Sequence, residues 1–100
     1  MAICIDIIKR GEVGDLHIYY VNKIGADRYE FYVAISAEKQ TISFYKDQEL
    51  KHLLKVIDVN DPNNTIGTPG IPSMIIGCVL TKCLRALREN HFPQSMGYYA

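Results

Sequence analysis

A chain of 100 residues holds enough sequence for one core, and 48% of it is hydrophobic, which excludes a disordered polymer. Eleven acidic residues balance eleven basic ones, and zero net charge argues against a general nucleic-acid binder. Three cysteines at 4, 78 and 83 are an odd number, and they read as small buried hydrophobes in a reducing compartment rather than as a disulfide framework.

Residues 2 to 9 place Ile3, Ile5 and Ile7 at period two, the signature of a strand. Gly11 to Asp15 is turn chemistry. Residues 16 to 23 alternate again, with Leu16, Ile18 and Tyr20 on one face and His17, Tyr19 and Val21 on the other. Gly25-Ala26-Asp27 closes a hairpin. Residues 29 to 36 set Phe31, Val33 and Ile35 on one face, and residues 41 to 46 set Ile42 and Phe44 inward. A fifth strand is expected from about Leu53 to Val59, where Lys55 conflicts with an inward face of Leu53, Ile57 and Val59. Residues 47 to 52 could instead form a helical turn.

After a loop rich in Asn, Gly and Pro (residues 61 to 70) the period changes. Ile76, Val79, Leu80, Cys83, Leu84 and Leu87 recur at three and four, the stripe of an amphipathic helix. Pro72 suits its first turn, Ser73 is a candidate cap, and Asn90 with Pro93 ends it. The pattern therefore predicts an α+β fold in a single domain, residues 1–100. It is an antiparallel β-meander of about five strands with one C-terminal helix, about 73–91, packed on one face. The segment 91–100 is a tail, either docked or free.

A two-residue turn at Glu38-Lys39 would set Tyr32 opposite Tyr45 on the face away from the helix. One of two registers for the preceding hairpin sets Tyr19 opposite Tyr32. The open face would then carry a row of Tyr19, Tyr32 and Tyr45, flanked by Asp6, His17, Glu30 and Ser43. Tyr combines large contact area with a polar tip, which suits a surface that is wet when free and buried when bound. The plain alternative is a row that only stiffens the sheet, or that lies under the tail. Asp47, Glu49, Asp58 and Asp61 form an acidic spot that could face a basic partner. Lys82, Arg85 and Arg88 form a basic stripe, and both clusters also read as solvated ends of elements.

No catalytic signature accompanies these residues, and the cysteine and histidine spacings make no zinc pattern. No metal or cofactor is expected. The loop Gly67-Thr68-Pro69-Gly70 lacks the ending of a phosphate loop and reads as a connection. The leading expectation is a non-catalytic binding module, most concretely a small cytoplasmic inhibitor or immunity-type protein that blocks a toxin or enzyme. Tyr19, Tyr32, Tyr45, Glu30, His17, Asp58 and Asp61 are its candidate contact residues. The alternatives are a homodimer or assembly subunit, and a small acid–base enzyme using His17 with Glu30 or Asp6. The amino terminus has no signal-peptide pattern and the longest apolar stretch, broken at Pro72 and Gly77, is far short of the roughly 20 residues of a spanning helix. A cytoplasmic protein without membrane insertion is the expectation.

Overall fold

The computed structural model describes residues 3–25 and 27–99. Six strands and one helix follow in the order β1 (Cys4–Val13), β2 (Leu16–Ile24), β3 (Tyr29–Ser36), β4 (Thr41–Tyr45), β5 (Leu53–Asp58), α1 (Ser73–Glu89) and β6 (Tyr98–Tyr99). They form one antiparallel sheet in the order β5-β4-β3-β2-β1-β6, with every consecutive strand from β1 to β5 beside its neighbour. This is the α+β meander with a C-terminal helix that the sequence predicts, plus a sixth strand made by the tail.

The inner face explains the strand periods. Ile5, Ile7, Tyr19, Val21, Phe31, Val33, Ile35, Ile42, Phe44 and Ile57 all point toward the helix and are buried. Helix α1 meets them with Ile75, Ile76, Val79, Leu80, Cys83, Ala86 and Leu87. Leu84, expected in that stripe, instead stands exposed, and Ala86 takes the inward position. Pro72 is the residue that caps the helix. Ser73 lies inside it and makes no side-chain cap bond. The chain leaves the helix at Asn90 in the left-handed conformation (φ 48°), where its N–H and that of His91 reach back to Leu87 and Ala86.

Two irregularities settle positions that alternation alone left open. In β5 the pairing passes from Phe44–Lys55 to Tyr45–Leu53, so Leu54 is an extra residue. Leu54 packs on the core, while the Lys55 ammonium reaches the Thr65 hydroxyl at 3.0 Å, which resolves the conflict at Lys55. In β1 the pairing passes from Lys9–Tyr19 to Gly11–Ile18, and the strand continues to Val13 through residues read as turn. Residues 47–52 form a turn rather than a helix. The Asp47 carboxylate accepts the N–H groups of Lys51 and His52, and Leu50 takes φ 58°.

The tail is docked along the free side of β1. The Met96 N–H donates to Ile7, the Lys9 N–H donates to Gln94, and Tyr98 and Tyr99 pair with Ile5 and Cys4. Met96 is buried in the core cluster.

Candidate protein-binding face

Strands β3 and β4 pair in the expected register, with Tyr32 opposite Tyr45. Strands β2 and β3 pair one residue away from the register that would put Tyr19 in the row, so Tyr20 stands opposite Tyr32. A shift of one residue turns every side chain of a strand to the other face. Tyr19 is therefore fully buried in the core, not a surface contact, and its hydroxyl donates to the Pro93 carbonyl at 2.7 Å. Burial pushes the Tyr19 phenol's pKa well above its ordinary value. The row that exists is Tyr20, Tyr32 and Tyr45.

The same shift moves His17. It sits on the helix-side face beside Glu12, and its ring stacks on Phe92 at 3.7 Å between centroids and 3° between planes. Asp6 and Glu30 lie on the opposite face, each beside Asn22. His17 is thus parted from both carboxylates by the sheet itself, which removes the acid–base set read from the sequence and takes His17 off the open face. Its Nδ1 lies 3.2 Å from Glu12 but is too poorly aligned to bond it. Glu12 pairs with the Lys9 ammonium, which donates to it and holds its carboxyl below the usual range.

Asp58 and Asp61 are exposed, yet their carboxylates accept the N–H groups of Asn60 and Asn63, each at 2.9 Å. Those acids are engaged in holding the loop that follows β5. Asp47 is engaged in the same way, while Glu49 projects from the turn before β5. The acidic spot is therefore composed mainly of turn ligands. Of the basic stripe, Arg85 pairs with Glu89 at 3.1 Å, and the Lys82 ammonium lies 5.9 Å from the centre of the Tyr98 ring.

The face away from the helix carries successive cross-strand rows. One runs Ile18, Ala34, Ser43, Val56. The next runs Ile8, Tyr20, Tyr32, Tyr45, Leu53. Val13, Ile24 and Tyr99 extend it at the margins. Ile8, Val13, Ile24, Leu53, Val56 and Tyr99 are all among the large apolar side chains left exposed, with Val13 64% and Leu53 50% accessible. Single exposed apolar residues are ordinary, but their concentration on one face is not.

Polar groups cross this apolar ground at defined points. The Tyr20 and Tyr32 rings pack at 5.3 Å, Arg28 bonds Glu30 at 2.6 Å, and the Arg10 guanidinium lies 5.0 Å over the Tyr20 ring. Partial burial, and then the Glu30 carboxylate against its hydroxyl, raise the Tyr20 pKa, so the phenol stays protonated. The Tyr99 hydroxyl donates to Asp6 at 2.5 Å. Arg10 and Tyr20 are the contacts that the sequence reading missed. No local signal would have found them, because the β1 bulge and the facing of β2 are fixed by the strands that pair with them.

Two clefts of about 200 and 380 Å³ are present, the second reaching Glu30 at the edge of this face. The first is between Lys82, Arg85, His91 and Met96, the second among Lys46, His52, Leu54 and Ile71, and neither is lined by His17. Among the described residues no group of three His, Cys, Asp or Glu side chains could hold a metal ion, and no helix is long and apolar enough to cross a membrane. Set against protein-family models, curated proteins and solved structures, the chain matches none of them.

Proposed function

We propose that the protein is a non-catalytic binding module whose outer sheet face occupies the surface of another protein. The most concrete version is a small cytoplasmic inhibitor or immunity-type protein that blocks a toxin or enzyme. The observation that carries this reading is the uncovered face on which Tyr20, Tyr32 and Tyr45 lie among Ile8, Leu53 and Val56. Tyr and Arg are the side chains most enriched where binding energy concentrates, and Arg10, Arg28 and Glu30 stand at the edge of the row. The opposite face is filled by α1, which gives a rigid scaffold with little reorganisation on binding.

The test is capture from the native host with wild type beside a Tyr20→Ala, Tyr32→Ala, Tyr45→Ala variant. A Lys82→Ala, Arg85→Ala, Arg88→Ala variant serves as the control on the other side of the molecule. A partner lost by the tyrosine variant alone, and inhibited by wild type at one-to-one stoichiometry, supports the reading. A partner retained by the tyrosine variant and lost by the control moves the interface to the helix. A concentration-dependent dimer that the tyrosine variant abolishes, with no other partner captured, favours self-association through the same face.

A further inference from the structure

We infer that the cleft between the second half of α1 and the docked tail binds a small phosphate monoester, with Lys82, Arg85, His91 and Ser95 as its donors. The site shares no residue with the tyrosine face and goes beyond the reading of that face as an interface.

Two elements build its walls. On a helix the positions i, i+3, i+4 and i+7 form one stripe, so Lys82, Arg85, Ala86 and Glu89 line the same side. Facing them is the tail, pinned to β1 where Gln94 accepts the Lys9 N–H and Met96 donates to Ile7. That attachment sets His91, Pro93 and Ser95 along the second wall. Ala86 and Met96 are buried and give the cleft an apolar floor. Its volume is about 200 Å³. Benzene fits a cavity of about 150 Å³, so a phosphate with a small apolar ester group has room here.

The charged groups lining the cleft are Lys82 and Arg85 against Glu89 alone, so its net charge is positive even with His91 neutral. Glu89 engages only the Arg85 Nε, at 3.1 Å, which orients the guanidinium and leaves both terminal amino groups without a partner among the described residues. Lys82 makes no ion pair among the described residues. Its ammonium stands 5.9 Å from the centre of the Tyr98 ring, a contact that uses no N–H donor. Bare carbonyls at the end of α1 would oppose an anion, but those of Ala86 and Leu87 already accept the N–H groups of His91 and Asn90. A carboxylate offers two oxygens in one plane and is satisfied by Arg85 alone. A phosphate monoester carries about −1.5 to −2 charges at pH 7 and three acceptor oxygens, enough to meet the Arg85 fork, the Lys82 ammonium and the tail donors together.

The probes are phenyl phosphate, inorganic phosphate and benzoate, titrated into ¹⁵N-labelled protein at constant ionic strength. Phenyl phosphate should perturb the amides of Arg85, Ala86, His91 and Ser95 and the Arg85 side-chain Nε. It should bind about tenfold more tightly than benzoate, the difference of one charge-assisted bond. Inorganic phosphate should move the same amides with lower affinity, because it leaves the apolar floor empty. Arg85→Gln and Lys82→Gln should each weaken phenyl phosphate about tenfold, and two separate variants guard against a disturbed tail in either one. Arg88→Gln, outside the cleft, should leave binding unchanged. Equal affinity for benzoate, or for inorganic phosphate, would overturn the assignment and leave an adventitious ion only. Equal loss in Arg88→Gln would overturn it too, since binding would then be diffuse attraction to the basic stripe. No perturbation at the cleft has the same meaning. The interface reading is decided separately, by partner capture.

Discussion

The Tyr19 hydroxyl and the Pro93 carbonyl meet at 2.7 Å across 74 positions of sequence, and this bond ties the carboxy-terminal tail to the centre of the sheet. Phe92 stacks on His17 next to it, and the Lys9 ammonium reaches the Phe92 carbonyl at 3.3 Å. Tyr19→Phe keeps the ring and removes only the donor. It should cost about 1 kcal/mol in urea unfolding, and amide exchange at Met96, whose N–H bonds Ile7, should quicken. Tyr19→Ala should cost about 3–5 kcal/mol, because it also empties a fully buried aromatic site. Unchanged Met96 exchange in Tyr19→Phe would contradict the role of this bond in docking the tail.

The helix terminus gives a second expectation. Asn90 occupies the left-handed region, with φ 48° and ψ 45°. Asn90→Gly should be neutral or mildly stabilising in thermal unfolding, whereas Asn90→Val should cost about 1–2 kcal/mol through the Cβ clash.

Acid should weaken the fold in a defined window. Glu12 is held below its ordinary 4.5 by Lys9. Asp15 is held below 3.8 by the Ser36 hydroxyl and then by the Glu38 N–H, and Asp47 is held below 3.8 by the N–H groups of His52 and Lys51. A carboxylate with a depressed folded pKa stabilises fully above its unfolded value and loses that contribution as pH falls through the folded one. Unfolding free energy should accordingly be insensitive to these three groups above 4.5 and should decline below 3.8. Replacing Asp15 by Asn should flatten part of that decline in denaturant titrations.

Of the three cysteines expected to be buried, only Cys83 is; Cys78 is half-buried and Cys4 exposed, so thiol reactivity should separate Cys4 from Cys83. Burial pushes the Cys83 thiol up to about 12, so it stays protonated and shielded, whereas Cys4 is exposed. Timed labelling with an aromatic disulfide, read by mass spectrometry, should modify Cys4 first and Cys83 only on unfolding. Early modification of Cys83 in the native protein would contradict the packing of α1 on the sheet.

What the sequence made legible follows from how each signal is stored. The strands and helix are written in local periods, and the β3–β4 register follows from the short link between Ser36 and Thr41. The facing of β2 is not written locally. Leu16, Ile18 and Tyr20 form as apolar a set as Tyr19 and Val21, and the choice is made by partners distant in sequence, Ile7 opposite Val21 and Pro93 bonded to Tyr19. The β1 bulge is hidden for a similar reason, since it is recognised only against the strand it pairs with. Strand β6 has two residues and exists because Ile5 and Cys4 offer an edge. The tyrosine face was therefore foreseen as a feature, with one of its three members misplaced.

The most direct measurement is the affinity of the captured partner, once purified, for Tyr32→Ala alone. Tyr32 stands between Tyr20 and Tyr45 at the middle of the row and touches neither the helix nor the tail through any described bond. If the face is the interface, calorimetry should show affinity reduced by at least about 2 kcal/mol, roughly thirtyfold, with the variant's unfolding cooperative and native-like. An unchanged affinity in a folded Tyr32→Ala protein would contradict binding through this face.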